Sequence, residues 1–403
     1  MRSSFLVITA FMSLAGRAQD PVVQSIINAV DIGRMMADLD TLSGQAQVDV
    51  GNGAQTILSR NEAQPGNALA ADWLQQRIAE AGLVPQLDIF SAGNGENLLA
   101  EWTGTVHPER KVIICGHYDS MPAGPVASPA ADDDGSGTVA VLEAMRVLTQ
   151  HSFENSIVFA FWDMEEQGKL GSINYANGID MDETPVVGVV NLDAIAYDGD
   201  GDGLMRVHTK NIANSIALKD TAVLVNQTYT GLQLPMGINL PGATYSDHAS
   251  FWSRGIGAIL IIEDFDDDAN PHYHTTTDLP EFIDEPYFHG LARLGIGTTA
   301  VLARPVPEDP MEVTATSGKD PGLSVYPNPM EGTVTVRIPP GPGLTGLDLY
   351  DAMGRHVLDL TPGAVSGNSR LYQVNASALA PGTYVLRSVR DGRVTSLPVV
   401  RTP

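Results

Sequence analysis

Short apolar runs alternate with helix-like segments through the larger, N-terminal part of the chain. The clearest run is Val112-Ile-Ile-Cys115, whose consecutive β-branched residues are typical of a buried strand in a parallel sheet. Such runs predict strands around residues 86–90, 97–102, 111–116, 157–162, 186–192 and 257–263. Apolar residues at helical spacing predict helices over 21–42, 67–81, 136–150 and 285–302, and one that begins near residue 247. This alternation predicts an α/β domain of three layers.

Capping residues suggest where two of these helices begin. Asn67 is the predicted N-cap of the 67–81 helix, and Gly82 is its predicted stop signal. Ser136 is the predicted cap of the 136–150 helix.

The character of the chain changes after residue 302. Residues 303–322 contain four prolines with glycine and serine between them, which is typical of a linker. Beyond it, alternating patterns predict short strands over 333–338, 346–350, 384–389 and 394–400. Residues 1–322 contain 16 Lys and Arg against 43 Asp and Glu, whereas residues 323–403 contain 7 against 5. We therefore predict a second domain over 323–403, a small all-β sandwich.

The N-terminus has the layout of a secretory signal. Arg2 precedes an apolar run, and small residues at Gly16 and Ala18 suit cleavage before Gln19. We therefore predict a signal peptide over 1–18. The apolar run is too short to span a membrane, and no later stretch reaches the length required, which predicts a soluble mature protein.

Composition narrows the classes of function. Of the 403 residues 43% are hydrophobic and 18% are charged, as in ordinary globular proteins. The net charge of −25 argues against nucleic acid or an anionic membrane as a partner, because both require cationic surfaces. The single cysteine, Cys115, lies in an apolar strand, where we interpret it as a small buried hydrophobic residue.

Histidines and acids follow the predicted strands. His117 and Asp119 come directly after the 111–116 strand, at the edge where open α/β sheets bind ligands. Two residues apart on an extended chain, both side chains lie on one side, so Asp119 can hold one ring nitrogen of His117 while the other binds a metal. By itself such a pair is more often a surface hydrogen bond than a metal site.

Other strand ends carry similar groups. They are Asp132-Asp-Asp-Gly-Ser-Gly137, Asp163-Met-Glu-Glu166, Asp193, and Pro271-His-Tyr-His-Thr-Thr-Thr-Asp278. Histidines and carboxylates converging on one place are the mixture expected for two Zn²⁺ ions with a position left for water, and a free glutamate could act as general base. Taken singly, each group has an alternative interpretation as a solvated loop, a helix cap, an exposed charged pair or a loop histidine.

The order and spacing of these groups resemble the secreted di-zinc aminopeptidases of metallopeptidase family twenty-eight, which includes the bacterial leucyl aminopeptidases. The resemblance covers roughly residues 25–302. It rests on Gly116-His-Tyr-Asp-Ser120, Ala131-Asp-Asp-Asp-Gly-Ser-Gly137, Met164-Glu-Glu166, Asn191-Leu-Asp193, Tyr245-Ser-Asp-His-Ala-Ser-Phe-Trp252 and His274-Thr-Thr-Thr-Asp278. It implies a zinc-exopeptidase domain over 19–302, of three α/β/α layers around a mixed, mostly parallel sheet.

The resemblance also implies roles for individual residues. His117 and Asp193 would bind one zinc ion, Glu166 and His274 the other, Asp133 would bridge both, Glu165 would be the general base and Asp119 would support His117. Tyr245 would stabilise the oxyanion of the tetrahedral intermediate, unless it only packs under its loop. The Asp133–Asp134 peptide bond is expected to be cis. His272 is the competitor of His274 as a ligand, and His248 is interpreted as structural.

The implied activity is hydrolysis of the first peptide bond of peptides and proteins that have a free N-terminus. Water that bridges the two zinc ions would lose its proton to Glu165, which would return it to the leaving amine. Within the same scaffold a carboxypeptidase, a dipeptidase or a glutaminyl cyclase is the alternative. A surface-binding protein without catalytic activity is the alternative from another class.

The last residues resemble a second family, the C-terminal sorting domain of the type IX secretion system of the Bacteroidetes group. The matching segments are Leu323-Ser-Val-Tyr-Pro-Asn-Pro329, Leu349-Tyr-Asp-Ala-Met-Gly-Arg-His-Val357 and Leu379-Ala-Pro-Gly-Thr-Tyr-Val-Leu-Arg387. The resemblance implies that 323–403 engages the type IX secretion machinery, and that the protein passes the periplasm to be secreted or attached to the cell surface. An accessory sandwich that binds substrate or carbohydrate is the alternative.

Overall fold

A computed structural model describes residues 19–306, 324–330, 332–338, 344–351, 356–360, 370–390 and 393–402. The chain divides after Pro307 into two compact units. The predicted signal peptide over 1–18 lies outside the described residues, as does most of the predicted linker over 303–322. Helix α8 ends at Ala303, so the chain leaves the helix one position later than the predicted start of the linker.

The first unit is built on one eight-stranded sheet. Its strands are β1 (Gln86–Phe90), β2 (Gly95–Trp102), β3 (His107–His117), β4 (Asn155–Trp162), β5 (Val186–Leu192), β6 (Met205–His208), β7 (Met236–Asn239) and β8 (Ala258–Glu263). Their order is β1-β2-β4-β3-β5-β8-β6-β7, and the central strands β4, β3, β5 and β8 are parallel. Strands β1, β2 and β6 pair in antiparallel fashion, so the sheet is mixed and mostly parallel at its centre, as expected.

Among the described residues, eight helices surround this sheet. They are α1 (Pro21–Ala29), α2 (Ile32–Leu42), α3 (Pro65–Glu80), α4 (Gly137–Leu148), α5 (Leu170–Gly178), α6 (Ser215–Thr228), α7 (His248–Ser253) and α8 (Glu285–Ala303). The alternating residues of β3 show the layering. Val112 and Ile114 join the larger core under α1, α4 and α8, whereas Ile113 and Cys115 join the smaller core under α5 and α7. The predicted three-layer α/β/α fold is confirmed.

Two predictions about helix ends are wrong, and a third holds for the position of the cap but not for its hydrogen bond. The pattern over 21–42 forms two helices, because Val30 is extended and Asp31 starts α2 by accepting a hydrogen bond from the backbone N–H of Arg34. Asn67 is not a cap: α3 begins at Pro65, and the buried Asn67 amide donates instead to Arg60 and Asp163. Ser136 makes no capping hydrogen bond either, since its hydroxyl donates to the carbonyl of Asp132 within a π-helical turn that leads into α4.

The regular elements among the described residues of the second unit are strands, apart from a short 3₁₀ turn at Ala376–Ala378. Its strands are β9 (Ser324–Tyr326), β10 (Thr333–Ile338), β11 (Leu344–Asp351), β12 (His356–Asp359), β13 (Arg370–Asn375), β14 (Gly382–Arg390) and β15 (Arg393–Arg401). They form an antiparallel three-stranded sheet, β13-β10-β9, and an antiparallel four-stranded sheet, β12-β11-β14-β15. Val334, Val336, Leu349 and Leu386 are buried in one core. Within the described ranges, no helix of either unit is both long and apolar enough to span a bilayer.

Candidate metal centre

The candidate site lies at the carboxyl ends of the three adjacent parallel strands β4, β3 and β5. His117 is the last residue of β3, Asp193 follows β5 directly, and Glu165 and Glu166 stand in the turn after β4. His274 comes from the loop that follows β8. Parallel strands bring these groups to one edge of the sheet, which is where ligands bind in open α/β folds.

The segment Ala131–Ser136 carries Asp133 into this place as a π-helical turn with a cis peptide bond between Asp133 and Asp134, as expected. The buried carboxylate of Asp134 fixes the turn by accepting backbone N–H groups of His117 (2.9 Å) and Ala194 (3.2 Å). The carboxylate of Asp278 accepts the N–H groups of Asp132 and Asp133, at 3.1 Å each. These two acids therefore hold the turn against β3 and β5 rather than facing a ligand.

Arg60 contacts the residues that directly precede this turn. Its side chain is completely buried, and it donates to the carbonyl oxygens of Tyr118 (2.7 Å), Pro129 (2.7 Å) and Ala130 (2.9 Å), and also to Leu42 (2.8 Å). Burial lowers the pKa of this guanidinium to about 10, although nearby acids oppose the shift. Nothing local in the sequence singles out Arg60, because its carbonyl partners come from three separate segments of the chain.

Two trios of ligand atoms form around Asp133. In the first, Nε2 of His117 lies 3.2 Å from Oδ1 of Asp133 and 3.7 Å from Oδ1 of Asp193. In the second, Nε2 of His274 lies 3.1 Å from Oδ2 of Asp133 and 3.0 Å from Oε2 of Glu166. Within each trio all ligand atoms lie within 4.8 Å of one another, so each could surround one metal ion. The structure thus brings together all five residues expected to be ligands, with Asp133 common to both trios.

The donor set fits two zinc ions. Each trio combines an imidazole nitrogen with carboxylate oxygens, which are zinc ligands, and leaves at least one position for a further ligand. Oδ2 of Asp133, Oε1 of Glu166 and Nε2 of His274 are buried and make no hydrogen bond within the described residues. Because buried polar atoms without partners are costly, these atoms favour a bound cation.

The electrostatics favour a cation as well. Burial, together with neighbouring Asp133, raises the pKa of Glu166 to about 7. Burial disfavours charge on Asp133 too, but the nearby imidazoles of His117 and His274 hold its pKa below the ordinary value. The two histidines supply too little positive charge for the surrounding acids, so a divalent cation would lower the cost of ionising them.

Asp119 has two contacts at the centre. Its Oδ1 lies 3.2 Å from Nδ1 of His117, so it can orient the ring for binding through Nε2. Its two oxygens also accept the backbone N–H groups of Glu165 (3.0 Å) and Glu166 (3.2 Å). The second contact was not foreseen, because it depends on the adjacency of β3 and β4. One carboxylate therefore positions the histidine and the glutamate pair.

Glu165 is the acid of this pair that stands outside both trios. It is 9% exposed, and burial raises the pKa of its carboxyl well above the ordinary value. A raised pKa makes this carboxylate a stronger base than an exposed glutamate, which suits it to accept a proton.

Two tyrosines border the centre. Tyr245 is half exposed and packs edge-on against His208, and its pKa is raised by burial and by the charge of Asp193. Tyr273, which the sequence reasoning passed over, stacks on the ring of His274 at 3.8 Å between centroids. Its pKa is raised by burial and then by the charges of Asp133 and Asp193. Its position beside His274 in the sequence was the available signal.

The two further histidines considered from the sequence, His272 and His248, take part in neither trio. Nδ1 of His272 lies 2.9 Å from Oγ1 of Thr277, and its ring stacks on Phe282. Nε2 of His248 lies 2.9 Å from the carbonyl oxygen of Ala243, beneath the loop that carries Tyr245. Both contacts agree with roles in loop structure.

Each of the two units matches a known protein family. Residues 97–297 match peptidase family M28, and residues 324–400 match the secretion system C-terminal sorting domain. The first unit therefore belongs to peptidase family M28, and the chain carries a C-terminal sorting domain of the kind used for secretion.

Curated relatives are named as aminopeptidases. A probable leucine aminopeptidase of Trichophyton verrucosum is 29% identical over 57% of this chain and 64% of its own length. Another, of Arthroderma benhamiae, is 32% identical over 47% of this chain and 53% of its own length. The chain thus spans between half and two thirds of these relatives.

Solved structures share the fold. LapA, an aminopeptidase of Legionella pneumophila, superposes with a TM-score of 0.62 at 21% identity, over 74% of this chain and 80% of that one. A glutaminyl cyclase of Porphyromonas gingivalis superposes with a TM-score of 0.51 at 19% identity, over 67% of this chain and 98% of that one. At these identities the likeness shows the fold alone.

Proposed function

We propose that the protein is a secreted, zinc-dependent aminopeptidase that hydrolyses the N-terminal peptide bond of peptides and proteins. The observation that supports this most directly is the pair of ligand trios that share Asp133. His117 and Asp193 would hold one zinc ion, and Glu166 and His274 would hold the other. The M28 family match and the relatives named as leucine aminopeptidases support the activity.

The zinc pair would supply Lewis acidity, polarising the scissile carbonyl group and lowering the pKa of attacking water. Glu165 would take the proton of that water and deliver it to the leaving amine. Its backbone is held by Asp119, and its buried carboxyl has a raised pKa, which favours uptake of the proton from the water. Because Glu165 is buried next to the ligand Glu166, it would need no large movement to accept the proton and then deliver it.

A phenol would stabilise the oxyanion that develops on the substrate. Tyr245 is the proposed donor, and Tyr273 is a second candidate because its hydroxyl is influenced by the charges of Asp133 and Asp193. Substitution of each by phenylalanine distinguishes them: the variant that has lost the donor should lose about 10²–10³-fold in kcat with little change in KM.

Leucine p-nitroanilide tests the activity and the base together. We expect the purified chain with two zinc ions to hydrolyse it, and Glu165→Ala to reduce kcat by about 10²–10⁴-fold, the usual contribution of acid–base catalysis. Zinc content, measured by elemental analysis, should stay at two in the variant, because Glu165 is in neither trio.

Three outcomes would contradict parts of the proposal. No hydrolysis of any free N-terminal substrate despite two bound zinc ions would exclude an aminopeptidase and direct the search to carboxypeptidase and dipeptide substrates. Cyclisation of N-terminal glutamine without hydrolysis would indicate a glutaminyl cyclase. One bound zinc ion would contradict the ligand assignment itself.

We also propose that residues 323–403 direct the protein through the type IX secretion machinery to the medium or the cell surface. The match to a secretion system C-terminal sorting domain supports this role. Fusion of 308–403 to a periplasmic reporter should export the reporter in a host that has the machinery. Retention of the fusion in the periplasm, with export of a known cargo in the same cells, would contradict it.

A further inference from the structure

The loop that carries Tyr245 is attached to the candidate metal centre on one side. Ser246, the next residue, accepts a hydrogen bond on its Oγ from the side-chain amide of Asn191 at 2.6 Å. Asn191 lies in β5, two residues before the proposed ligand Asp193. Because this side of the loop is fixed, the position of Tyr245 also depends on what holds the residues before it.

Two buried histidines hold Ala243, two residues before Tyr245. His208, the last residue of β6, accepts the backbone N–H of Ala243 on Nδ1 at 3.1 Å. Nε2 of His248, the first residue of α7, lies 2.9 Å from the carbonyl oxygen of Ala243. Because a carbonyl oxygen can only accept and an N–H can only donate, Nε2 of His248 carries a proton and Nδ1 of His208 carries none. The bond to His208 therefore exists only while that imidazole is neutral.

His208 also contacts the tyrosine itself. The rings of His208 and Tyr245 meet edge to face, with 5.7 Å between their centroids. One buried ring thus contacts both the backbone that leads to Tyr245 and the side chain of Tyr245. An oxyanion donor needs such support, because its contribution depends on being in place before the charge develops.

The groups around His208 keep it neutral at ordinary pH. Burial lowers the pKa of the imidazole, the carboxylate of Asp266 in the loop after β8 opposes this shift, and Arg206 on β6 adds to it. Two further titratable groups face His208 from other elements, His248 of α7 and the phenol of Tyr245. Both are uncharged near neutral pH, because burial lowers the pKa of His248 to about 3 and raises that of Tyr245. His208 therefore gains a proton only as the pH falls below about 6.5, the ordinary value for histidine.

We propose that His208 and His248 position Tyr245 for catalysis, and that acid frees the tyrosine by placing a proton on Nδ1 of His208. This inference rests on the proposed function, in which Tyr245 stabilises the oxyanion. The added proton would point at the N–H of Ala243, so that two donors face each other where one hydrogen bond had been. The bond to His248 and the anchor at Ser246 remain, so the loop loosens without unfolding.

Matched variants separate the acceptor from the ring. His208→Asn keeps an acceptor at the position of Nδ1 and cannot gain a charge there, whereas His208→Phe keeps a ring beside Tyr245 and has no acceptor. With leucine p-nitroanilide, near neutral pH and with two zinc ions bound to the full chain, we expect His208→Phe to lower kcat by about 5-fold with KM nearly unchanged, which is the effect of one hydrogen bond. His208→Asn should lower kcat by less than about 2-fold. His107→Phe, at the opposite end of β3 from the centre, is the control and should leave kcat unchanged.

The Tyr245→Phe background tests whether His208 acts through the tyrosine. There the change His208→Phe should lower kcat by less than about 2-fold, because the hydroxyl that the histidine positions is already absent. Equal losses in both backgrounds, or no loss in either, would overturn the positioning role.

The dependence on pH identifies the group that titrates. The ratio of kcat between the unaltered chain and Tyr245→Phe cancels the acid effects that both share, among them loss of zinc. As pH falls from about 7.5 to about 5, this ratio should fall by about 5-fold with histidine at position 208 and stay constant in the His208→Asn background. The same pH dependence in both backgrounds would exclude His208 as the switch.

Hydrogen exchange tests the two bonds at Ala243 independently of catalysis. Exchange of the peptide that contains residues 242–247 is measured by mass spectrometry on the full chain and divided by the intrinsic rate at each pH. We expect it to be about 5-fold faster in His208→Phe and in His248→Phe, and unchanged in His208→Asn and in His248→Gln, which keeps a donor at the position of Nε2. Exchange elsewhere in the chain is the control for folding.

The exchange result distinguishes failure of this inference from failure of the proposed function. Unchanged exchange in His208→Phe would overturn the inference even in an active enzyme. If Tyr245→Phe itself leaves kcat unchanged, the oxyanion role of Tyr245 is rejected, and faster exchange in His208→Phe would then show that the histidine holds the loop without serving catalysis.

Discussion

At the scale of single residues, carboxylates at the centre hold partners that come from different strands. Asp119 contacts the ring of His117 and the backbone of Glu165 and Glu166. We expect Asp119→Ala to lower zinc affinity by about 10–100-fold, because the ligands lose the group that orients them. Competition with a zinc-sensitive dye measures this. The exposed Asp180→Ala is the control, and equal affinities of both variants would show that Asp119 does not orient the ligands.

Arg60 holds the chain that leads into the Asp132–Asp134 turn, through the carbonyl oxygens of Pro129 and Ala130. Its removal in Arg60→Met takes a hydrogen-bond donor from four buried carbonyl oxygens, of which that of Ala130 keeps a second donor in the backbone N–H of Gly135. We expect a loss of about 3 kcal/mol or more in the free energy of unfolding, and weaker zinc binding, since unpaired buried polar groups cost about 1–3 kcal/mol each. Arg60→Lys keeps the charge and should lose less. Urea denaturation measures the free energy of unfolding of both variants. A loss below about 1 kcal/mol in Arg60→Met would contradict the role of Arg60 as a donor to these carbonyl oxygens.

Buried acids beside the centre give the zinc-free protein a distinctive pH dependence. Burial raises the pKa of Asp278 to about 8 and that of Asp247 to about 7. In the folded protein both pKa values lie above those of the unfolded chain. The stability that these two groups contribute is therefore present at low pH and is lost as pH rises through 7 and 8. Between pH 5 and 7 we expect the free energy of unfolding to fall by about 1.4 kcal/mol per pH unit for each group.

Urea denaturation in the presence of a chelator, repeated across this pH range, tests the expectation. The zinc-loaded protein is the control and should show a shallower slope, because bound cations favour the ionised acids. A zinc-free protein whose stability is constant or rises from pH 5 to 7 would show that these carboxyls are ionised without metal.

At the scale of elements, the junction of the π-helical turn with α4 leaves no room for a side chain. A Cβ on Gly137 would collide with Oδ1 of Asp134 and the carbonyl oxygen of Leu192. We expect Gly137→Ala to destabilise the fold by about 1–3 kcal/mol, because backbone must shift to admit the methyl group. Gly178→Ala in α5, where the added methyl meets open space, should be neutral or slightly stabilising. Equal effects of the two changes on the thermal midpoint would contradict this account.

The periodic elements of the first unit could be predicted, and the exceptions have physical causes. Long apolar strands such as β3 and β4 were found because burial on both faces leaves a continuous apolar signal. Strands β6 and β7, each of four residues, and helix α6 were missed because their apolar signal is short or weak. The cap assigned to Asn67 was wrong because its amide bonds tertiary partners instead.

The candidate site was more predictable than the elements around it. His117, Asp193 and the glutamate pair follow strands directly, so the rule for parallel sheet edges placed them together. The supporting contacts could not be foreseen in this way. Those of Arg60 depend on chain segments that meet only after folding.

At the scale of the whole molecule, charge and structure change at the same region of the chain. Residues 1–322 are strongly acidic and residues 323–403 are slightly basic, and the compact units separate after Pro307. We expect the fragment 19–306 to fold alone and to retain the zinc sites, since every proposed ligand lies within it. Its thermal midpoint should lie within about 2–4 °C of a transition of the full chain, which corresponds to about 1 kcal/mol for a domain of this size. Loss of folding in the fragment would show that the second unit completes the first.

The shared position of Asp133 has a consequence for how this site tolerates change over evolution. Substitution of His274 or Glu166 removes a ligand from one trio, and substitution of His117 or Asp193 removes a ligand from the other. Substitution of Asp133 removes a ligand from both. A lineage can therefore change from two metal ions to one by a single substitution of a ligand that belongs to one trio, and the other trio stays complete. A substitution at position 133 leaves neither trio complete.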